Sequence, residues 1–461
     1  MLFGPSRRRR TVVAIAVGSA LVASPAALAA ADDSFRTKSY AAPVALILSV
    51  ILVAAFFDPK RPFRILHLDL LALLTFAVPH ALLRAGEDSL VAPTTVPLLL
   101  YLLGRMLWIG FRPGPGAGPL LPLVSVKMLA VALLVLVGAR VALNLDSDVS
   151  DVGYASVVGA DRLTQGESIY EGDFPALARP GYVSGHGDTY GPLTYLAYVP
   201  FEHVFPWSGR WDSLPAAHAA AIGFDLLTIL GLFLLGRTLQ PERGRELGVA
   251  LAFAWAAYPY SLLILFYNTN DALVSLFLVW TLVLVRMPAG RGAMLALGTA
   301  AKFVPGALAP LFATATSRRP RDILVFAPVF AGLLTLLVVP LLPDGGLREL
   351  YDRTLGYQAD RASVFTVWYR FPALDPLQPL AQAAAAALAA LVAFLPRTRT
   401  PLQVASLGAA VLIALQLAHS YWFVLYIPWW APFVFVAVLA RHQAKDAAVQ
   451  EGELRVREIG P

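Results

Sequence analysis

Residues 121–166 read LPLVSVKMLAVALLVLVGARVALNLDSDVSDVGYASVVGADRLTQG. The run from 121 to 143 is apolar and long enough to cross a bilayer, for which about 20 such residues suffice. Asp146, Asp148 and Asp151 follow at once, which sets carboxylates at a membrane surface. Val152 to Leu163 then reads as a short amphipathic helix lying along that surface. The loop so opened runs from Asn144 to about Pro215 and is acidic and aromatic. It is far longer than a link between two helices needs, which points to chemistry at the interface.

The rest of the chain supports this setting. Of its 461 residues 58% are hydrophobic and 14% charged, against about 25% charged in soluble domains. The mean hydropathy is +0.66. A net charge of +6 does not imply nucleic acid here, because the arginines gather in short loops between spans, where they set orientation. The absence of cysteine excludes disulfides and thiolate metal sites.

Candidate spans fall at about 39–57, 65–84, 93–111, 121–143, 216–236, 247–267, 271–287, 322–342, 376–396, 401–419 and 423–440. Arg7 to Arg10, with the apolar run after them, fit a retained first span or a cleaved signal peptide. The expected fold is an all-α polytopic transmembrane bundle of about 11–12 spans. Placing Arg7 to Arg10 in the cytoplasm puts Lys60, Arg61, Arg64, Arg112, Arg237, Arg243 and Arg245 there too, and the acidic loop 144–215 outside. If the first span is retained, both termini are cytoplasmic.

Residues 293–315 break the alternation, since Arg286, Arg291, Arg318, Arg319 and Arg321 hold both flanks on one side. Lys302, Pro305 and Pro310 interrupt the stretch, so a re-entrant hairpin is expected; broken backbone at membrane depth persists only inside protein or along a cavity. The Pro/Gly linker Pro113 to Pro119 divides accessory N-terminal helices (1–120) from a working domain (121–440), with a polar cytoplasmic tail (441–461).

Five constellations could carry chemistry. Asp151, Asp148 and Asp146 could deprotonate an acceptor hydroxyl, or Asp146 and Asp148 could hold a divalent cation; helix capping explains any one of them. His186, Asp188 and Tyr190 lie in a glycine-rich stretch that could approach a ligand closely or form an ordinary turn. Asn270 and Asp271 could bind sugar hydroxyls, or cap the next helix. Arg361 in the loop 343–375 suits a phosphate, among aromatics that otherwise form an interfacial belt. His419 and Tyr421 end a span on the same expected face. Lys302, an ionisable group inside the membrane, is a functional candidate unless it snorkels to the cytoplasmic surface. His218 and Asp225 share one helix face and could pair; snorkelling accounts for Arg105, Lys127 and Arg140.

An acid just after a span, a helix leading to Gly166-x-x-x-Tyr170, the later Lys302-Phe-x-Pro305 between basic loops and a late outer His419 together resemble the GT-C glycosyltransferases. The similarity is to the branch of actinobacterial polyprenol-phosphate-mannose-dependent mannosyltransferases, over roughly 121–440. The resemblance implies a plasma-membrane enzyme taking a sugar, mannose in that branch, from a polyprenyl-phosphate donor to a lipid or glycan acceptor at the outer face. It implies inversion at the anomeric carbon and an aspartate base, for which Asp151 matches, then Asp148 and Asp146. His419 matches the late histidine and Lys302 the lysine of the broken helix. Three aspartates stand where one is usual. The rival readings are a transporter or flippase, which should show paired broken helices, and an inactive GT-C-like scaffold.

Overall fold

The computed structural model describes residues 41–170, 174, 177, 186–240 and 243–442. The basic N-terminal segment, with its first span or signal, and all but the first two residues of the polar tail lie outside them. The protein is all-helical, and no strand occurs among the described residues. The longer helices are α1 (Ala41–Phe56), α2 (Ile65–Thr75), α3 (Ala77–Arg84), α4 (Asp88–Phe111), α5 (Val126–Leu145), α6 (Asp151–Gln165), α7 (Pro215–Leu239), α8 (Gly244–Ala256), α9 (Pro259–Phe266), α10 (Asp271–Val283), α11 (Pro288–Lys302), α12 (Pro320–Val338), α13 (Gln378–Leu391), α14 (Pro401–Ala418) and α15 (Ile427–Leu439).

Six described helical segments are long and apolar enough to cross a membrane, seven if the bent pair α8–α9 is one span. Several other expected spans are shorter apolar helices, among them α1, α10 and the stretch ending in α15. α5 and α12 turn most of their surface outward, as lipid-facing helices do. The N-terminal helices share the main core: Leu52, Leu70, Leu99 and Met106 belong to one buried cluster with Trp255, Trp430 and Phe435. Polar ties reinforce it, Ser406 Oγ donating to Met106 O at 2.6 Å and Gln403 Nε2 to Gly110 O at 2.8 Å.

Two arginines inside the bundle are paired with carboxylates, which corrects the snorkelling expected of Arg105 and Arg140. Arg105 Nε meets Asp69 Oδ1 at 2.9 Å, and Arg140 Nη2 meets Asp225 Oδ1 at 2.7 Å. His218 and Asp225 do not pair with each other: His218 Nδ1 lies 3.1 Å from Asn144 Oδ1. Seven residues on a helix span about 10 Å of axis, too far for direct contact. α5 instead supplies both partners, Arg140 and Asn144.

Two helix breaks shape the interior. Between α8 and α9 the axis bends by 57°, so broken helices are not confined to the hairpin. Arg140 donates to Ala256 O and to Ser261 O, both at 3.1 Å, serving carbonyls that flank the bend. The second break follows Lys302, where Phe303 takes φ +44° and the chain continues as a 3-10 turn (Val304–Leu308). Here Ala301 O accepts from Gly191 N–H and from Thr194 Oγ, both at 2.9 Å. In each case protein groups satisfy backbone that lipid would leave bare.

Candidate active site

Ser150 caps α6, its side chain accepting from Gly153 N–H, so Asp151 opens the first turn. The helix is longer than the expected 152–163 and does not lie along a surface: Gly153 to Ala160 are all buried. Its seat is made of amides. Ser150 N–H donates to Tyr267 O at 3.0 Å. Asn268, held at φ +53°, donates from Nδ2 to Ser147 Oγ and Asp148 O, each at 3.1 Å. Asn144 Nδ2 donates to Asn268 Oδ1 at 2.7 Å, and Asn270 Nδ2 to Ser156 Oγ at 3.2 Å. Asn270 is fully buried and makes no side-chain cap, so the structure gives it to the support of α6.

The three aspartates part company. Asp146 and Asp148 are exposed. Among the described residues no group of three or more His, Cys, Asp or Glu could hold a metal ion. Asp151 is half-buried, and that burial pushes its carboxyl above the usual carboxylate range. The Val152 N–H, donating to Oδ1 at 2.9 Å, opposes that rise, as do the charges of Arg361 and Lys302. A partly buried carboxylate facing cations is the environment of a general base.

Lys302 does not reach for the cytoplasm. Its Nζ contacts Asp271 Oδ1 at 2.7 Å, and Trp429 Nε1 donates to the same oxygen at 3.0 Å. The ammonium sits 4.8 Å from the Tyr190 ring centre and 5.5 Å from that of Trp429. Asp271 is thus an internal anchor, 1% exposed, rather than an open sugar ligand.

Arg361 stacks 3.8 Å over Tyr421 and 5.4 Å from Tyr357, and Nη1 donates to Gln358 Oε1 at 3.3 Å. No carboxylate lies within ion-pair distance of it among the described residues. His419 Nδ1 accepts from Tyr421 N–H at 3.2 Å, which leaves the neutral ring's proton on Nε2, and burial lowers its pKa. Tyr190 stays a phenol, since burial and the carboxylates of Asp151 and Asp271 raise its pKa well above 10.

Beside them lies a cleft of about 110 Å³, whose walls include Lys302, His419 and Tyr421 but neither Asp151 nor Arg361. Tyr190, Lys302, Gln358, Gln416, His419 and Tyr421 form its polar lining; Leu412, Leu415, Trp422, Trp429 and Trp430 form an apolar flank. Gln416 was missed by sequence reasoning. Its Oε1 accepts from Trp430 Nε1 at 2.6 Å, and its buried Nε2 has no partner among the described residues. An amide within the apolar run 401–418 was the available signal. Asp188 and His186 stand beside the cleft. Asp188 is buried in an ion pair with Arg353 and lies 3.6 Å from His186, and Arg353 also meets Glu349 at 2.7 Å. That pair fastens the glycine-rich stretch to the segment around Arg353.

Residues 189–425 match glycosyltransferase family 87. The chain belongs to this family. It is a multi-pass membrane glycosyltransferase. No curated protein matches it. The matched residues include Lys302, Arg361 and His419 and begin after Asp151, so the case for Asp151 rests on its surroundings.

In this member of family 87 the stretch around Gly191 packs directly on the helix break after Lys302. At Gly191 a Cβ would run into the carbonyl of Ala300, and that backbone has no room to give. Gly191→Ala is therefore expected to destabilise the protein by about 1–3 kcal/mol and to lower transfer, read by thermal unfolding in detergent and by turnover. A variant as stable and active as the parent would show that the contact is dispensable.

Proposed function

We propose that the enzyme transfers a sugar from a polyprenyl-phosphate donor to an envelope lipid or glycan at the outer face of the plasma membrane, with inversion and with Asp151 as base. The observation that carries this reading is the cleft, which joins an apolar flank fit for a polyprenyl tail to the Gln416 amide, His419 and Tyr421, with the Arg361 guanidinium stacked on Tyr421. Residues 121–440 form the catalytic unit, with the N-terminal helices as its scaffold and the outer loop facing away from the cytoplasm. Mannose is the proposed sugar.

In this mechanism the Asp151 carboxylate takes the proton of the acceptor hydroxyl as that oxygen attacks the anomeric carbon. The bond from that carbon to the phosphate oxygen breaks, and its electron pair leaves with the polyprenyl phosphate. Arg361, with His419 Nε2–H and the Gln416 amide, meets the charge that develops on the leaving phosphate. Lys302 holds Asp271 and the Tyr190 ring in place.

The direct test supplies membranes carrying the protein with labelled polyprenyl-phosphate mannose, glucose or arabinose. One equivalent of polyprenyl phosphate should be released per glycoside formed, with the opposite anomeric configuration in the product. Transfer from nucleotide-sugars alone, or retention of configuration, would sink the proposal. Arg361→Gln is expected to slow transfer about 10²-fold or more. It should also move the acid limb of the pH profile upward, because the Arg361 charge lowers the Asp151 pKa. Arg361→Lys should recover little, since an ammonium lacks the planar fork.

A further inference from the structure

A second cavity, of about 180 Å³, lies outside the cleft and is lined by Val157 of α6, Phe205, Trp207, Ser208, Asp212 and Ser213. Pro206, Leu214, Pro215 and Ala216 complete its apolar part, so that an indole, hydroxyls and a carboxylate stand beside apolar groups. Two tryptophans four residues apart behave differently there. Trp211 is fully engaged, stacked on Tyr154 at 4.6 Å and donating Nε1–H to Val149 O at 3.2 Å. Trp207 touches Tyr154 only edge-on at 6.5 Å, and its buried Nε1–H has no acceptor among the described residues. A buried donor without an acceptor is unfavourable, and one lining a cavity can be served by a ligand.

Asp212 is prepared for the same purpose. Its Oδ2 accepts from Ser208 Oγ at 2.6 Å and its Oδ1 from Leu214 N–H at 2.9 Å, so the carboxylate is held in one orientation with lone pairs to spare. Leu214, which aligns that N–H, has φ +42°. For a leucine this is an outlier, of the kind that collects at ligand sites.

An aromatic ring offering a face, an N–H and a fixed carboxylate are the groups that recognise a pyranose. The ring takes the apolar C–H face, and the carboxylate accepts from vicinal hydroxyls. Val157 lies six residues beyond Asp151 on the same helix, about 9 Å along its axis.

We propose that this cavity is a glycan subsite that binds a sugar of the acceptor remote from the reacting hydroxyl. The acceptor is then a glycan of two or more sugars rather than a bare lipid headgroup. The inference rests on the reading of Asp151 as the base.

The test uses the full chain in detergent and ligand-observed saturation-transfer NMR with methyl mannoside, mannobiose and mannotriose. The parent should bind the di- and trisaccharide, Trp207→Ala should lose at least tenfold in affinity, and Asp151→Asn should bind like the parent. In turnover, Trp207→Ala and Asp212→Asn should raise KM for an oligosaccharide acceptor about tenfold with kcat little changed. Trp207→Phe, which keeps a ring but no N–H, should fall between, and guards against misfolding of the alanine variant. Equal saccharide binding by parent and Trp207→Ala, or none by either, overturns the subsite. Full transfer by Asp151→Asn overturns the base instead, so the two failures are separable.

Discussion

Asp151→Asn is expected to lower transfer by roughly 10²–10⁴-fold with KM for the donor little changed, whereas Asp146→Asn and Asp148→Asn should stay near the parent rate. The asymmetry follows from surroundings, not residue type. All three carboxylates sit within six residues, yet only Asp151 is partly withdrawn from water and faced by Arg361 and Lys302. An amide is nearly isosteric and cannot accept the proton, so the fold should survive while the chemistry stops. The pH dependence has a definite sign. Burial raises the carboxyl pKa, and the base acts only when deprotonated. Activity should therefore climb with pH through a value above the ordinary carboxylate range. Steady-state rates from pH 4 to 8, at matched expression and with melting curves as control, decide the matter. A large loss at Asp148 with none at Asp151 would move the base into the exposed turn.

Arg140→Met should be the most destabilising of the substitutions considered, by about 3–5 kcal/mol. It strands the Asp225 carboxylate, 4% exposed, with only the Trp255 N–H at 2.8 Å, and removes the donors that serve Ala256 O and Ser261 O at the α8–α9 bend. Breaking one half of a buried pair costs more than removing both. The double variant Arg140→Met/Asp225→Leu should accordingly recover much of the loss, short of the part owed to the bend carbonyls. Thermal unfolding of the three proteins in one detergent measures this. A double variant no better than the single would place the whole effect at the bend.

How much of this was legible beforehand depended on distance along the chain. Apolar runs, the acidic loop after α5 and the interruption at Lys302 to Pro310 are local patterns, and each emerged near its expected place. Partners are not local. Lys302 and Asp271 are 31 residues apart, and Arg140 and Asp225 are 85 apart; no periodicity links them. His218 and Asp225 do share a face, but α5 lies against that face and presents Asn144 and Arg140 to them. The cleft's apolar wall owes much to Trp429 and Trp430, which fall inside the expected span 423–440 and carry no local sign of a site. Asn270 illustrates the converse: its composition suggests a sugar ligand, and only burial reveals that it props a helix.

The amide clamp beneath α6 has a bearing on how such an enzyme can change over generations. Asp151 is mounted on a helix fixed by Asn144, Asn268 and Asn270, all fully buried. The 186–190 stretch, the segment around Arg361 and the Trp207 cavity contribute side chains from loops. Under the proposed mechanism, substitutions in those loops would retune which sugar or glycan is accepted without disturbing the proton acceptor. Drift in the three asparagines, none of which lines the cleft, would instead extinguish activity for every substrate at once.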